Sequence, residues 1–165
     1  MKSHSFLILT ATILSVTSLL YPQSLVDSRM NSEGEVNPAV TDSNLALDLV
    51  EMVAHTFREK GEKAAFASFA DEKLLQGYYL FALDMSGKVL AYSHNDNLIG
   101  RSLINTIDAR GRYVIVEFIK LLQNEENGWF TYYLYSSNDS RIPVPCYLQK
   151  IESDLFIGCE AYARH

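Results

Sequence analysis

Chemistry at neutral pH needs histidines, cysteines or paired carboxylates that converge, and this chain scatters the ones it has. Its histidines are His4, His55, His94 and His165. His4 lies in an apolar leader and His165 is the final residue. His55 falls on the polar side of a helical pattern, within i,i+4 reach of Glu51 and Glu59, where a solvated ion pair is its ordinary use. His94 stands in His94-Asn95-Asp96, a His-x-Asp pair that could ligate a metal, but no second ligand cluster accompanies it. Asp84 and Asp108 each precede a glycine by three residues, Gly87 and Gly111. That is the placement of a turn residue rather than of a general acid and base. The H-E-x-x-H, P-loop, G-x-S-x-G and Rossmann glycine patterns do not occur. These residues predict a protein that is not an enzyme and carries no metal or cofactor.

Binding chemistry has better material. Tyr78, Tyr79, Tyr132, Tyr133, Tyr135, Tyr147 and Tyr162, with Trp129, crowd the β-like stretches. Such side chains either pair across strands in a core or floor a pocket where hydroxyls orient a small ligand. Because strands alternate faces, both uses are open. Arg101 and Arg110 flank an irregular stretch. On a loop over an aromatic sheet face an arginine can hold an anion bidentately; a solvated loop arginine is the alternative.

The elements that must hold these residues follow from periodicity. The 165 residues suit one domain. Lys2 followed by the nearly uncharged run 6–21 (FLILTATILSVTSLLY) has the form of a signal peptide. It is short for a membrane span, which needs about 20 apolar residues. An uncleaved anchor at 1–23 is the competing reading. Residues 24–42 mix Pro, Asn, Ser, Gly and acids without period and read as a tether. From Ser43, a helix cap, Leu45, Leu49, Val53 and Phe57 recur every fourth residue, which predicts an amphipathic helix ending at Gly61. A shorter helix follows at 62–70, with a loop at 71–77. Residues 78–93 read as a hairpin turning at Asp84-Met85-Ser86-Gly87. Residues 94–111 are irregular. Residues 112–122 hold helical spacing despite a β-rich composition, so burial must support that helix. Strands at 129–135, 142–151 and from 154 or 155 to 162, with short polar reversals, form a meander. Five antiparallel strands covered by helices make an α+β fold of the PAS or profilin kind. The net charge of −6 disfavours nucleic acid and anionic membranes as partners.

Cys146 and Cys159 lie on the last two strands. If Glu152-Ser153 is a two-residue hairpin loop, Ile151 pairs with Asp154 and Cys146 falls opposite Cys159. Opposed residues have Cα atoms about 4.5–5.5 Å apart, within the roughly 4.4–6.8 Å a disulfide accepts. The reading is therefore a cross-strand disulfide. A bulge near Pro145 would shift the register and leave two buried free thiols instead.

Several segments, in order, resemble the single Cache domain family of extracytoplasmic sensor domains. They are Gly61-Glu-Lys-Ala-Ala-Phe66-Ala, Tyr79-Leu-Phe-Ala-Leu-Asp84-Met-Ser-Gly87, Leu98-Ile-Gly100-Arg-Ser-Leu103, Asp108-Ala-Arg-Gly111, Gly128-Trp129-Phe-Thr-Tyr132 and Asp154-Leu-Phe-Ile-Gly158-Cys-Glu-Ala-Tyr162. They span about 100 residues, from Gly61 to Tyr162. The resemblance implies a single Cache-like domain at 43–165. It implies a periplasmic or secreted sensor-type protein that binds a small molecule. As given, the chain ends three residues after Tyr162, so a separate membrane receptor or sensor partner is expected. The matched or altered motif positions imply a pocket lined by Trp129, Tyr132, Tyr147 and Glu160, with Arg101 on its lid. Two positions depart from the family pattern: Val144 replaces its usual Lys, and Glu160 its second glycine. The departures point away from an organic acid, toward an amine-bearing or uncharged ligand, or toward a structural or protein-interaction module that has lost its ligand.

Overall fold

The computed structural model describes residues 43–71, 75 and 78–161. The expected leader at 1–23, the tether at 24–42 and Tyr162 lie outside the described residues. Helix α1 (Ser43–Lys60) and the short α2 (Glu62–Ala67) lead through a 3-10 turn, Ser68–Ala70, toward the hairpin β1 (Tyr79–Asp84) and β2 (Val89–Tyr92). An insert containing a second 3-10 turn, Asp96–Leu98, precedes α3 (Val114–Asn124). The meander β3 (Asn127–Tyr135), β4 (Arg141–Glu152) and β5 (Leu155–Glu160) completes one antiparallel sheet in the order β2-β1-β5-β4-β3. The α+β sheet-and-helix fold read from the sequence is the one observed.

Alternation along β5 sorts the molecule into two cores. Leu155, Ile157 and Cys159 face α1 and α2, packing with Leu49, Val50, Val53 and Phe69. Phe156 faces the other way, toward α3 and the insert, with Phe81, Phe118, Tyr132 and Val144. The buried residues of α1 are Ala46, Leu49, Val50, Val53 and Ala54, spaced as a single helical stripe. Helix α3 buries Val114, Ile115, Phe118 and Leu122. Its β-branched residues are poor helix formers, and that burial supplies what propensity lacks.

The insert runs across the whole sheet and is fastened at both edges. At the β2 edge, Val89 N donates to Arg101 O (2.8 Å), Gly100 N to Val89 O (2.8 Å) and Leu103 N to Gly87 O (2.8 Å). At the β3 edge, Ala109 N donates to Tyr133 O (2.7 Å) and the Arg112 guanidinium to Thr131 O (2.8 Å). Between these ends it forms a strap over the α3 side of the sheet. Pro143 and Pro145 pair with Tyr133 and Thr131, whose carbonyls point outward to the strap. The missing proline N–H groups therefore cost β3 no ladder bond.

The register of the last hairpin corrects one expectation. The reversal is at Ser153-Asp154, since Glu152 pairs with Leu155, and an irregularity between Lys150 and Glu152 then shifts the ladder. Cys146 thus opposes Glu160, and Tyr147 opposes Cys159. Both cysteines are free and buried, on opposite faces of the sheet. The extra residue sits near the turn at Ile151, not at Pro145, and a one-residue slip inverts side-chain faces. The expected loop at 71–77 includes a helical, buried Leu75; residues 72–74 and 76–77 lie outside the described residues.

Candidate functional site

Under the strap lies a cavity between the sheet and α3. Phe81, Leu83, Val89 and Tyr92 line it from the first hairpin, and Val114, Ile115 and Phe118 from α3. Leu103, Thr106, Ile107 and Asp108 of the strap roof it, and Tyr132, Leu134 and Glu160 close the far side. The space open to the centre of a water-sized sphere is about 50 Å³, a few times what one water needs. That suits a ligand of few atoms.

The aromatic walls are ordered by one glycine. Phe81 pairs with Gly158 across β1 and β5, and its ring occupies the space above the glycine. A Cβ at Gly158 would meet Phe81 Cζ at 2.1 Å. In that pose Phe81 stacks on Phe118, with centroids 5.9 Å apart and planes at 9°. Phe118 in turn meets Tyr132 edge-on at 6.3 Å.

The polar end is Glu160, only 4% exposed. Tyr132 donates its hydroxyl proton to Glu160 Oε1 at 2.8 Å. The second carboxylate at the cavity, Asp108, is already committed. Its Oδ1 accepts from the amides of Arg110 and Arg112, both at 2.9 Å. Its Oδ2 accepts from Arg112 Nε at 3.0 Å and Nη2 at 2.7 Å. Asp108 is therefore the turn residue expected, and it also anchors the strap. Asp84 plays the same part in the first hairpin, accepting from Ser86 N (2.8 Å) and Lys88 N (3.0 Å). Burial raises the Asp84 carboxyl, but hydrogen bonds from Ser86 and Lys88 outweigh it and hold the group below its ordinary value.

Of the five residues expected in the pocket, the cavity brings together Tyr132 and Glu160. Tyr147 packs on the α1 side of the sheet, and Trp129, its cross-strand partner, shares that face with ring centroids 5.2 Å apart. Trp129 is 40% exposed. Arg101 has an exposed side chain and contributes its backbone to the β2 fastening. Trp129, Tyr147 and Arg101 therefore do not line this cavity. Arg110 lies with its guanidinium 3.5 Å over the Tyr133 ring, outside it as well. Phe81, Tyr92, Thr106, Phe118 and Asp108 were not expected there. Their signal is helical and strand alternation traced from Tyr132, once the register is known.

Nucleophiles are quiet. Burial pushes both thiols well above the ordinary value, and the Glu160 charge adds to it. Cys146 and Cys159 are protonated at neutral pH and serve as small apolar residues. His94 is exposed and rests against the rings of Tyr79 and Tyr92. Among the described residues no group of three or more His, Cys, Asp or Glu is arranged to hold a metal. No described helix is long and apolar enough to cross a membrane.

A family model, dCache_2, described as a Cache domain, matches residues 54–165. Among solved structures, a methyl-accepting chemotaxis protein from Vibrio parahaemolyticus is similar at a TM-score of 0.58 and 18% identity, over 85% of this chain and 92% of that one. A second, titled for carboxylic acid recognition by a Cache chemosensory domain, has a TM-score of 0.51 and 16% identity, over 73% of this chain and 88% of that one. At these identities the likeness is one of fold. No curated protein matches the chain in sequence.

Proposed function

This chain belongs to the Cache domain family, and from that premise we propose that it is an extracytoplasmic, sensor-type module that binds a small molecule in the cavity beneath the strap and catalyses no reaction. The observation that carries this reading is the cavity itself: an aromatic enclosure on the α3 side with a buried Tyr132–Glu160 pair at one end. A concave, mostly apolar site with few convergent polar groups is the usual form of a small-molecule site. The absence of a reactive thiol and the commitment of Asp108 to Arg112 and turn amides argue against hydrolysis or transfer there. Occupancy would be passed to a membrane-bound partner through the strap or α1. The signal-peptide form of the first residues supports export.

A thermal-shift screen of the purified protein against amino acids, amines, short carboxylates and small neutral solutes tests this. A true ligand at 100-fold its dissociation constant adds about 2.7 kcal/mol to stability, which a melting curve registers as an upward shift. A flat response across the library would leave a ligand-free structural module as the function of the fold.

A further inference from the structure

We propose that the ligand of this cavity is a small uncharged molecule, largely hydrocarbon, of a few non-hydrogen atoms. The inference rests on the cavity being a ligand site, and it names the class of that ligand. Three observations carry it.

The first is the make-up of the wall. Most of the lining residues are apolar, with Phe81, Leu83 and Val89 on the sheet facing Val114, Ile115 and Phe118 on α3. Hydrocarbon and ring surface therefore meets a ligand from two opposed elements at once. Apolar surface gains free energy roughly in proportion to the area taken out of water, so a largely hydrocarbon ligand draws on most of this enclosure.

The second is charge. No lysine or arginine lines the cavity, so an anionic ligand would find no cation in the wall to replace its water. The two acids of the wall belong to the bonding of the fold. Asp108 is held by the Arg112 side chain and by the amides of Arg110 and Arg112, and Glu160 accepts from Tyr132. A charged ligand of either sign would exchange water for a mostly apolar enclosure, which costs far more than the same move by a neutral molecule.

The third is size. The space open to the centre of a water-sized sphere is about 50 Å³, roughly three to five waters' worth. Its walls are set from outside. Phe81 sits in the space above Gly158 and stacks on Phe118 at 5.9 Å, and the strap overhead is bonded at both margins of the sheet. The enclosure therefore admits a short chain and excludes a bulky one.

NMR titration of the purified protein at pH 7 with 1-propanol, n-propylammonium and propionate tests the class, because the three share one carbon chain and differ in charge. The expected result is that 1-propanol binds at least about tenfold more tightly than either ion. Leu103→Phe, which adds volume to the half-buried roof, is expected to remove that binding. Unaltered 1-propanol affinity in a folded Leu103→Phe protein places the alcohol elsewhere and overturns the proposal. The wild-type ranking decides the class by itself if Leu103→Phe fails to fold. Equal or tighter binding of either ion overturns the neutral class and leaves the ligand-site reading in place. If none of the three binds, a neutral hit in the broad screen supports the class and a charged hit overturns the class alone. No binding in either experiment overturns both.

Discussion

The Tyr132 hydroxyl and the Glu160 carboxylate meet over strand β4, 2.8 Å apart, and so tie the edge strand β3 to the centre of the sheet on its cavity side. Glu160 needs that donor because its carboxylate is buried. Tyr132→Phe is expected to destabilise the fold by about 1–3 kcal/mol, the usual result of depriving a buried acceptor of a partner, measured by urea denaturation. Tyr147→Phe, on the α1 side, is expected to leave unchanged the affinity for any ligand that the thermal-shift screen finds.

Gly158 is where Phe81 takes its place. In Gly158→Ala the new methyl would stand 2.1 Å from Phe81 Cζ and 2.5 Å from Cε2, so the ring must leave its stack on Phe118. Overpacking of this kind costs about 1–3 kcal/mol. A lowered melting temperature with a changed near-ultraviolet circular dichroism signal is the expected outcome; an unchanged near-ultraviolet spectrum would show that the ring has stayed.

Arg112 holds the far end of the strap. Its side chain is 35% exposed against 0% for that of Asp108, so solvent screens part of the pair. Arg112→Ala should cost about 2–3 kcal/mol, less than a fully buried pair would. Amide exchange locates the effect: the Ala109 N–H, bonded to Tyr133 O, should lose protection before the β4–β5 ladder does. Arg112→Lys is expected to behave nearly as badly, since an ammonium cannot reproduce the two-pronged bond to Asp108 and the reach to Thr131.

The two thiols make an alkaline prediction. Burial, with help from Glu160, raises both above the ordinary value of 9.0. Burial, and secondarily the Glu51 charge, raises the Tyr147 phenol above 10.0. A raised folded pKa contributes stability that is intact below the unfolded value and is lost as pH climbs toward the folded one. Stability should therefore fall above about pH 9, and Cys146→Ala with Cys159→Ala should flatten that limb of the curve. The native protein should resist a thiol reagent at neutral pH and yield two thiols per chain once denatured without reductant.

Much of this was legible in periodicity. The helical stripe of α1, the Asp-x-x-Gly turns at Asp84 and Asp108, and the helix read at 112–122 and found at Val114–Asn124 all follow from spacing. The site was less so. Trp129 and Tyr132 are three residues apart on one strand, so alternation alone sends them to opposite faces, and only Tyr132 reaches the cavity. Whether Tyr147 or Cys146 shares the face of Glu160 depends on one residue of slip near Ile151. A short polar turn does not announce that slip, because Glu152-Ser153 and Ser153-Asp154 are equally suitable reversals. Phe81 and Phe118 stand at buried positions of a strand and a helix, and they are cavity walls because Gly158 leaves room for the Phe81 ring.

The strap that crosses the sheet also bears on how the protein keeps to itself. A sheet normally ends in two rows of idle backbone groups that can recruit a strand from a neighbour and seed aggregates. Here the carbonyls of Thr131 and Tyr133 on one margin, and the amide and carbonyl of Val89 with the carbonyl of Gly87 on the other, are occupied by one continuous segment. The same twenty or so residues that roof the cavity therefore act as a selvedge, and releasing them would open the sheet to strand exchange at both margins.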